Sequence, residues 1–154
     1  MKKIAVIGAG TMGNGIAHVF AQNGFQVHLI DVSQEALDKG LATIANNLDR
    51  MLAKDKISTS DRDNTLLNIT KFIDLKSGVS GTDIVIEAAT ENLAIKLSIF
   101  KDLDTLCDSN TILASNTSSI SITQIAASTK RPDKVIGMHF MNPVPIMTLV
   151  EIIR

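Results

Sequence analysis

Hydrophobic positions along the chain follow two alternating rhythms. Residues 3–9 (KIAVIGA) form a short continuous apolar run ending in glycine, the pattern of a strand covered on both faces in a parallel sheet. Residues 12–23 change to helical spacing, with Ile16, Ala17, Val19 and Phe20 on one side and Gly24 placed to cap the end. A second strand is expected over residues 26–30, ending at Asp31. Ser33 then reads as a helix N-cap, with Ala36 where a capping box would put Glu. Leu37, Leu41, Ile44, Leu48 and Leu52 continue at helical spacing to about Lys54. Ser58, Thr59 and Ser60 interrupt that helix, and a shorter one is expected over residues 61–67. This helical pair, about residues 34–68, is longer than the single crossover that links two parallel strands, and is expected to project from the sheet. Strands resume weakly at 69–72 and strongly at 83–88 (DIVIEA). A helix over 93–106, a strand over 111–115, a short helix over 122–127 and strands over 135–139 and 149–153 complete the pattern. Strands alternating with helices predict an α/β domain spanning 1–154, with a mostly parallel, doubly wound sheet.

Composition narrows the function classes. The 154 residues carry a formal net charge of -1 with no Trp or Tyr, so neither a nucleic-acid footprint nor stacking platforms for single strands are expected. Cys107 is the only cysteine, which suits a reducing compartment and a small apolar core residue. No signal-type segment and no apolar run long enough to span a bilayer are seen, so a cytoplasmic protein with no membrane partner is expected. No metal site is expected.

The first apolar run ends in Gly8-Ala9-Gly10-Thr11-Met12-Gly13, a G-x-G-x-x-G between strand and helix, the context in which the pattern marks a dinucleotide site of Rossmann type. Gly8 permits the tight turn, Gly10 the approach of a pyrophosphate, and Gly13 close packing of helix on strand. The helix N-terminus offers N–H groups and a positive dipole end to the phosphates. Asp31, at the end of the second strand, suits hydrogen bonds from ribose hydroxyls and repels a 2′-phosphate. Val32 and Ser33 follow, with no Arg to hold such a phosphate, so NAD is favoured over NADP. His18 and His28 have no partner motif and read as structural.

A second constellation lies further on. Ala114-Ser115-Asn116-Thr117-Ser118-Ser119 follows a strand, and the carboxyl ends of parallel strands are where such sheets bind ligands. His139 ends another strand and leads into Phe140-Met141-Asn142-Pro143-Val144-Pro145, whose prolines stiffen the turn. Glu151 interrupts the apolar run 149–153, where a carboxylate is costly to bury unless paired, and a histidine is a natural partner. A histidine, a carboxylate to orient it and a nearby hydroxyl are what alcohol oxidation requires: a base takes the hydroxyl proton as hydride leaves for nicotinamide.

On GAGTMG from Gly8, EAATEN from Glu87 to Asn92, ASNTSS from Ala114 and GMHFMNPVP from Gly137, the whole chain closely resembles the 3-hydroxyacyl-CoA dehydrogenases, particularly the bacterial 3-hydroxybutyryl-CoA enzymes. The resemblance implies reversible NAD-dependent oxidation of an (S)-3-hydroxyacyl-CoA to a 3-ketoacyl-CoA. It implies His139 as general base, Glu151 as its orienting partner and Ser118 as a hydrogen-bond donor to the substrate 3-oxygen. It places Asn116, Glu91 and Lys96 near the nicotinamide and its ribose. Arg50, Lys54 and Lys56 on the helical pair become candidates for the phosphates of an acyl-CoA substrate, and Asn142 a further substrate candidate. Thr148 departs from the pattern, standing where many relatives have lysine. The resemblance also implies a helical C-terminal domain, absent from these 154 residues, that forms a homodimer and supplies a further active-site asparagine; without it the chain is expected to turn over weakly or not at all. Two other readings stay open: a β-hydroxyacid dehydrogenase of the 6-phosphogluconate type, which uses a lysine catalyst and lacks the Asn-Pro-Val-Pro turn, and a non-catalytic NADH-binding regulatory domain, which leaves Ser118, His139 and Glu151 unexplained.

Overall fold

The computed structural model describes residues 2–154. The described residues build one seven-stranded sheet from β1 (Lys3–Ile7), β2 (Gln26–Ile30), β3 (Ile69–Phe72), β4 (Ile84–Glu87), β5 (Ile112–Ser115), β6 (Val135–Phe140) and β7 (Val150–Ile153). Their spatial order is β3-β2-β1-β4-β5-β6-β7, parallel throughout except for β7, which pairs antiparallel with β6. The chain winds outward from β1 through β2 to β3 and returns with β4 on the other side of β1. The crevice above β1 and β4 is therefore the switch point at which doubly wound sheets bind ligands.

Helices cover both faces. The strand periodicity of two divides β1 between them: Ile4 and Val6 enter one core with α1 (Thr11–Gln22) and α2 (Gln34–Leu52), while Ala5 and Ile7 enter the other with α5 (Leu93–Leu106) and α6 (Ile122–Ala126). This explains the unbroken apolar run in the sequence. Ser33 caps α2 as its position predicts, its hydroxyl accepting from the Ala36 N–H.

Three expectations need correction. The helical pair does not stand clear of the sheet along its length: Leu37, Ile44 and Leu48 of α2 are fully buried, while Glu35, Asp38, Ala42 and Asn46 and most of residues 49–56 at its outer end are exposed. Ser58 is no mere interruption but the N-cap of α3 (Thr59–Leu67), forming a reciprocal capping box with Asp61. A short helix, α4 (Leu75–Val79), was not anticipated; its five residues carry no usable period, and it starts where the Asp74 carboxylate accepts from the Ser77 N–H.

Cys107 is buried, and burial pushes its thiol up to about 11, the behaviour of an inert core residue. His28 fills a structural role too: Nδ1 meets the Gly78 carbonyl at 2.6 Å, and the ring lies against Phe72. His18, on α1, is fully buried with neither ring nitrogen hydrogen-bonded. Burial depresses its pKa, and the Gln22 side chain, near the ring but outside hydrogen-bond geometry, opposes this only in part. Its folded-state pKa lies below the unfolded value, so the unfolded chain binds the extra proton as pH falls through about 6.5, and stability is lost there. His18→Leu is expected to stabilise the domain by about 1 kcal/mol near neutrality, because two desolvated nitrogens disappear. The gain should grow as pH falls from about 8 to about 5 in thermal melts. A gain that stays constant with pH would show that His18 does not titrate on unfolding.

Candidate active site

The glycine turn is built by close approach. Gly8 sits at φ +98°, and a Cβ there would stand 2.6 Å from the Ala88 carbonyl oxygen. At Gly13 an added Cβ would stand 1.7 Å from the Gly8 carbonyl oxygen, so helix and strand touch through backbone alone. At Gly10 an added Cβ meets nothing within 4 Å, leaving open space in front of the α1 N-terminus. No side chain caps that N-terminus and no acidic residue stands in its first turn. The free N–H groups and dipole end therefore suit an anion such as the pyrophosphate of a dinucleotide. Thr11 and Met12 line a cavity with Ala88–Glu91, Lys96 and Asn116; Thr11 and Gly10 also line a second one that reaches Lys39, Thr43, Asn47 and Asn142.

Asp31 is placed by two bonds, accepting from the Ala9 N–H at 2.8 Å and from the Ser33 N–H at 3.0 Å. One oxygen thus ties β2 to the glycine turn. A carboxylate has about four lone-pair sites, so capacity remains for ribose hydroxyls.

At the ends of β4 and β5 lies a buried charged network. Lys96 and Glu87 are fully buried and meet at 2.6 Å. The same Glu87 oxygen accepts from the Ser115 hydroxyl at 2.8 Å, and the other oxygen from the Ala89 N–H at 2.9 Å. Glu91 stands 3.8 Å from Lys96 and accepts from the Thr117 hydroxyl, the Ser119 hydroxyl at 3.1 Å and the Ser118 N–H at 3.3 Å. Burial works against the Glu91 charge, but the Thr117 and Ser119 hydroxyls, Lys96 and the Ser118 N–H outweigh it and hold its pKa below the ordinary value. Asn116 uses its side-chain oxygen to accept from the Phe140 N–H at 2.9 Å, locking the end of β5 to the end of β6 beside His139. Glu87 was missed as a site residue, although a carboxylate in the apolar run IVIE and a lysine in LAIKL are each anomalous in the sequence.

His139 and Glu151 face each other across the antiparallel β6–β7 register, with Nδ1 and Oε2 at 2.8 Å. The pairing expected from sequence is present, but its expected cause is not: every residue of β7 is exposed, and the Glu151 side chain retains 51% of its accessibility. Register rather than burial brings the two together. Ser118 follows β5, the neighbour of β6, where Ser115 is level with Gly137. Ser118 and His139 thus lie at the carboxyl ends of adjacent parallel strands. Past His139, the Pro143–Pro145 turn meets the outer end of α2: Arg50, Lys54 and Lys56 line a cavity of ≈340 Å³ with Met51, Pro143, Pro145 and Ile146. Asn142 lies in the adjoining cavity, which shares Asn47, Pro143 and Pro145 with this one.

The model of the 3-hydroxyacyl-CoA dehydrogenase NAD-binding domain matches residues 3–154. The chain belongs to this family. It is 51% identical to 3-hydroxybutyryl-CoA dehydrogenase of Clostridioides difficile over 98% of the chain and 53% of that protein. It is 42% identical to the mitochondrial hydroxyacyl-coenzyme A dehydrogenase of Sus scrofa over the whole chain and 51% of that protein. The crystal structure of (S)-3-hydroxybutyryl-CoA dehydrogenase from Ralstonia eutropha superposes with a TM-score of 0.96 at 49% identity, covering 99% of this chain and 53% of that one. The chain therefore spans about half the length of the 3-hydroxyacyl-CoA dehydrogenases it matches, and corresponds to their NAD-binding domain. No helix among the described residues is long and apolar enough to cross a membrane.

Proposed function

We propose that this domain carries the acid–base chemistry of a cytoplasmic 3-hydroxyacyl-CoA dehydrogenase that interconverts (S)-3-hydroxyacyl-CoA and 3-ketoacyl-CoA, with short acyl chains such as 3-hydroxybutyryl and acetoacetyl. The observation that carries the reading is the His139–Glu151 pair at the carboxyl end of β6, in a member of this family. With the Nδ1–H donating to Glu151, His139 keeps an unprotonated Nε2. In oxidation Nε2 takes the proton of the substrate 3-hydroxyl, and Glu151 stabilises the imidazolium that forms. The Ser118 hydroxyl donates to the same substrate oxygen and fixes its position. NAD supplies the hydride acceptor when bound. Gly8, Gly10, Thr11, Met12 and Gly13 would hold its pyrophosphate, Asp31 its adenosine ribose, and Glu91, Lys96 and Asn116 its nicotinamide end. Arg50, Lys54 and Lys56 would meet the phosphates of the coenzyme A moiety, with Asn142 near the acyl thioester.

The second half of the relatives' length would form a helical domain beyond residue 154 that builds the homodimer and the far wall of the acyl-CoA cleft. The exposure of Leu149, Val150, Ile152 and Ile153 around Glu151 supports a covering element there. The test is NADH oxidation on adding acetoacetyl-CoA at high protein concentration. Slow turnover that prefers NADH to NADPH is expected. Tight NADH binding with no turnover, persisting when the second half of a relative is supplied, would favour a domain that binds cofactor without catalysis.

A further inference from the structure

The cavity between the glycine turn and the ends of β4 and β5 is lined by only two charged side chains among the described residues, Glu91 and Lys96. Lys96 cannot neutralise both carboxylates near it. Its short contact is to buried Glu87 at 2.6 Å, and Glu91 stands further off at 3.8 Å. Glu91 is held chiefly by hydroxyl and N–H donors, none of which brings a charge, with Lys96 adding the weaker pull of a longer contact. The cluster thus contains one negative charge more than it can balance, and that charge sits on Glu91, the more exposed of the two charged side chains that line the cavity. Oxidised and reduced nicotinamide cofactors differ by one positive charge, which resides on the pyridinium ring.

We infer that the Glu87–Lys96–Glu91 cluster determines the redox-state preference of the cofactor site, its surplus negative charge favouring NAD+ relative to NADH. The inference rests on the reading that this cavity takes the nicotinamide end. Lys96 and Glu87 then act as a matched pair: Lys96 is spent on Glu87 and leaves the charge of Glu91 expressed. Breaking the pair from the Glu87 side frees the ammonium to cancel Glu91. Deleting both partners leaves Glu91 as it was. A purely structural network makes no such distinction, because damage to the loops weakens the two cofactors alike.

The experiment is the ratio of Kd for NAD+ to Kd for NADH, measured by calorimetric titration of this chain, with ADP-ribose as a probe that lacks nicotinamide. Glu91→Gln changes a side chain that retains 44% of its accessibility and keeps an acceptor oxygen for Thr117 and Ser119, so the fold is expected to be retained. It is expected to raise the ratio about three- to tenfold, the effect of one charge at short range in a partly solvated site. Glu87→Gln is expected to raise it in the same direction. The double variant Glu87→Gln/Lys96→Met removes a buried pair together, which is tolerated better than removing one partner, and is expected to return the ratio to that of the parent chain. ADP-ribose, which like NADH lacks the pyridinium charge, should follow NADH rather than NAD+ in each of them, and added salt should raise the parent ratio. Equal losses for NAD+, NADH and ADP-ribose would overturn the inference by showing that the cluster only supports the loops. A shift in ADP-ribose affinity that matches NAD+ and not NADH would overturn it, because the pyridinium charge would then not be what the cluster senses. If the parent chain binds neither NAD+ nor NADH, the underlying reading of the site fails first, and the inference with it.

Discussion

Gly13→Ala should destabilise the domain by about 3 kcal/mol or more and abolish measurable NADH binding, because the new methyl would fall 1.7 Å from the Gly8 carbonyl oxygen. Neither group can turn aside, since the carbonyl belongs to backbone and the position of a Cβ is fixed by it. The N-terminus of α1 has to lift from β1, which moves the N–H groups meant for the pyrophosphate and loosens the contacts of Ile16 and Ala17 with the core. Gly10→Ala supplies the contrast. Its Cβ meets no protein atom within 4 Å, so folding should change by less than about 1 kcal/mol. The methyl projects into the space left for the phosphates, however, and NADH affinity should fall about tenfold or more. Thermal melts and NADH fluorescence titrations on the two variants separate these effects. Equal stability loss in both would mean that the turn is not divided into a packing glycine and a ligand-facing one.

His139→Ala carries the largest expected effect on chemistry. Removing the proposed base should cost about 10²- to 10⁴-fold in acetoacetyl-CoA-dependent NADH oxidation. NADH affinity should stay within about twofold of the parent chain, because His139 is not among the residues proposed to hold the cofactor. Glu151→Gln should give a smaller loss. The amide still meets Nδ1 across the β6–β7 register but no longer stabilises the imidazolium. Folding should be little affected in both, since Glu151 lies on the exposed strand β7 and the His139 side chain is only partly buried. A His139→Ala variant that loses NADH binding and turnover together would point to a structural role for the histidine.

The sequence was most legible where one physical constraint acts on consecutive residues. Burial on both faces makes β1 and β4 read as apolar runs, and the G-x-G-x-x-G between strand and helix leaves few alternatives to the turn that forms. Asp31 could be located but not fully interpreted: that one of its oxygens would bind the Ala9 N–H depends on how β2 sits beside β1. Glu151 shows a right pairing inferred from a wrong premise. An apolar run suggested burial, whereas β7 is an exposed edge strand and the partner is chosen by antiparallel register. Glu87 and Lys96 are nine positions apart across a strand end, a loop and a helix. Each is visibly out of place in its apolar segment, but only the path of residues 88–92 closes the gap to 2.6 Å. Arg50, Lys54 and Lys56 were identifiable as a basic helix end. That they share a cavity with Pro143 and Pro145 follows from α2 crossing the glycine turn, where Gly40 packs against Ala9.

The most direct test of the central claim is product analysis. The chain is mixed in excess over acetoacetyl-CoA with NADH, and the 3-hydroxybutyryl-CoA formed is quantified and its configuration assigned by chiral chromatography. The account predicts the S product, dependent on NADH and on His139. The R product, or the same yield from His139→Ala, would contradict it.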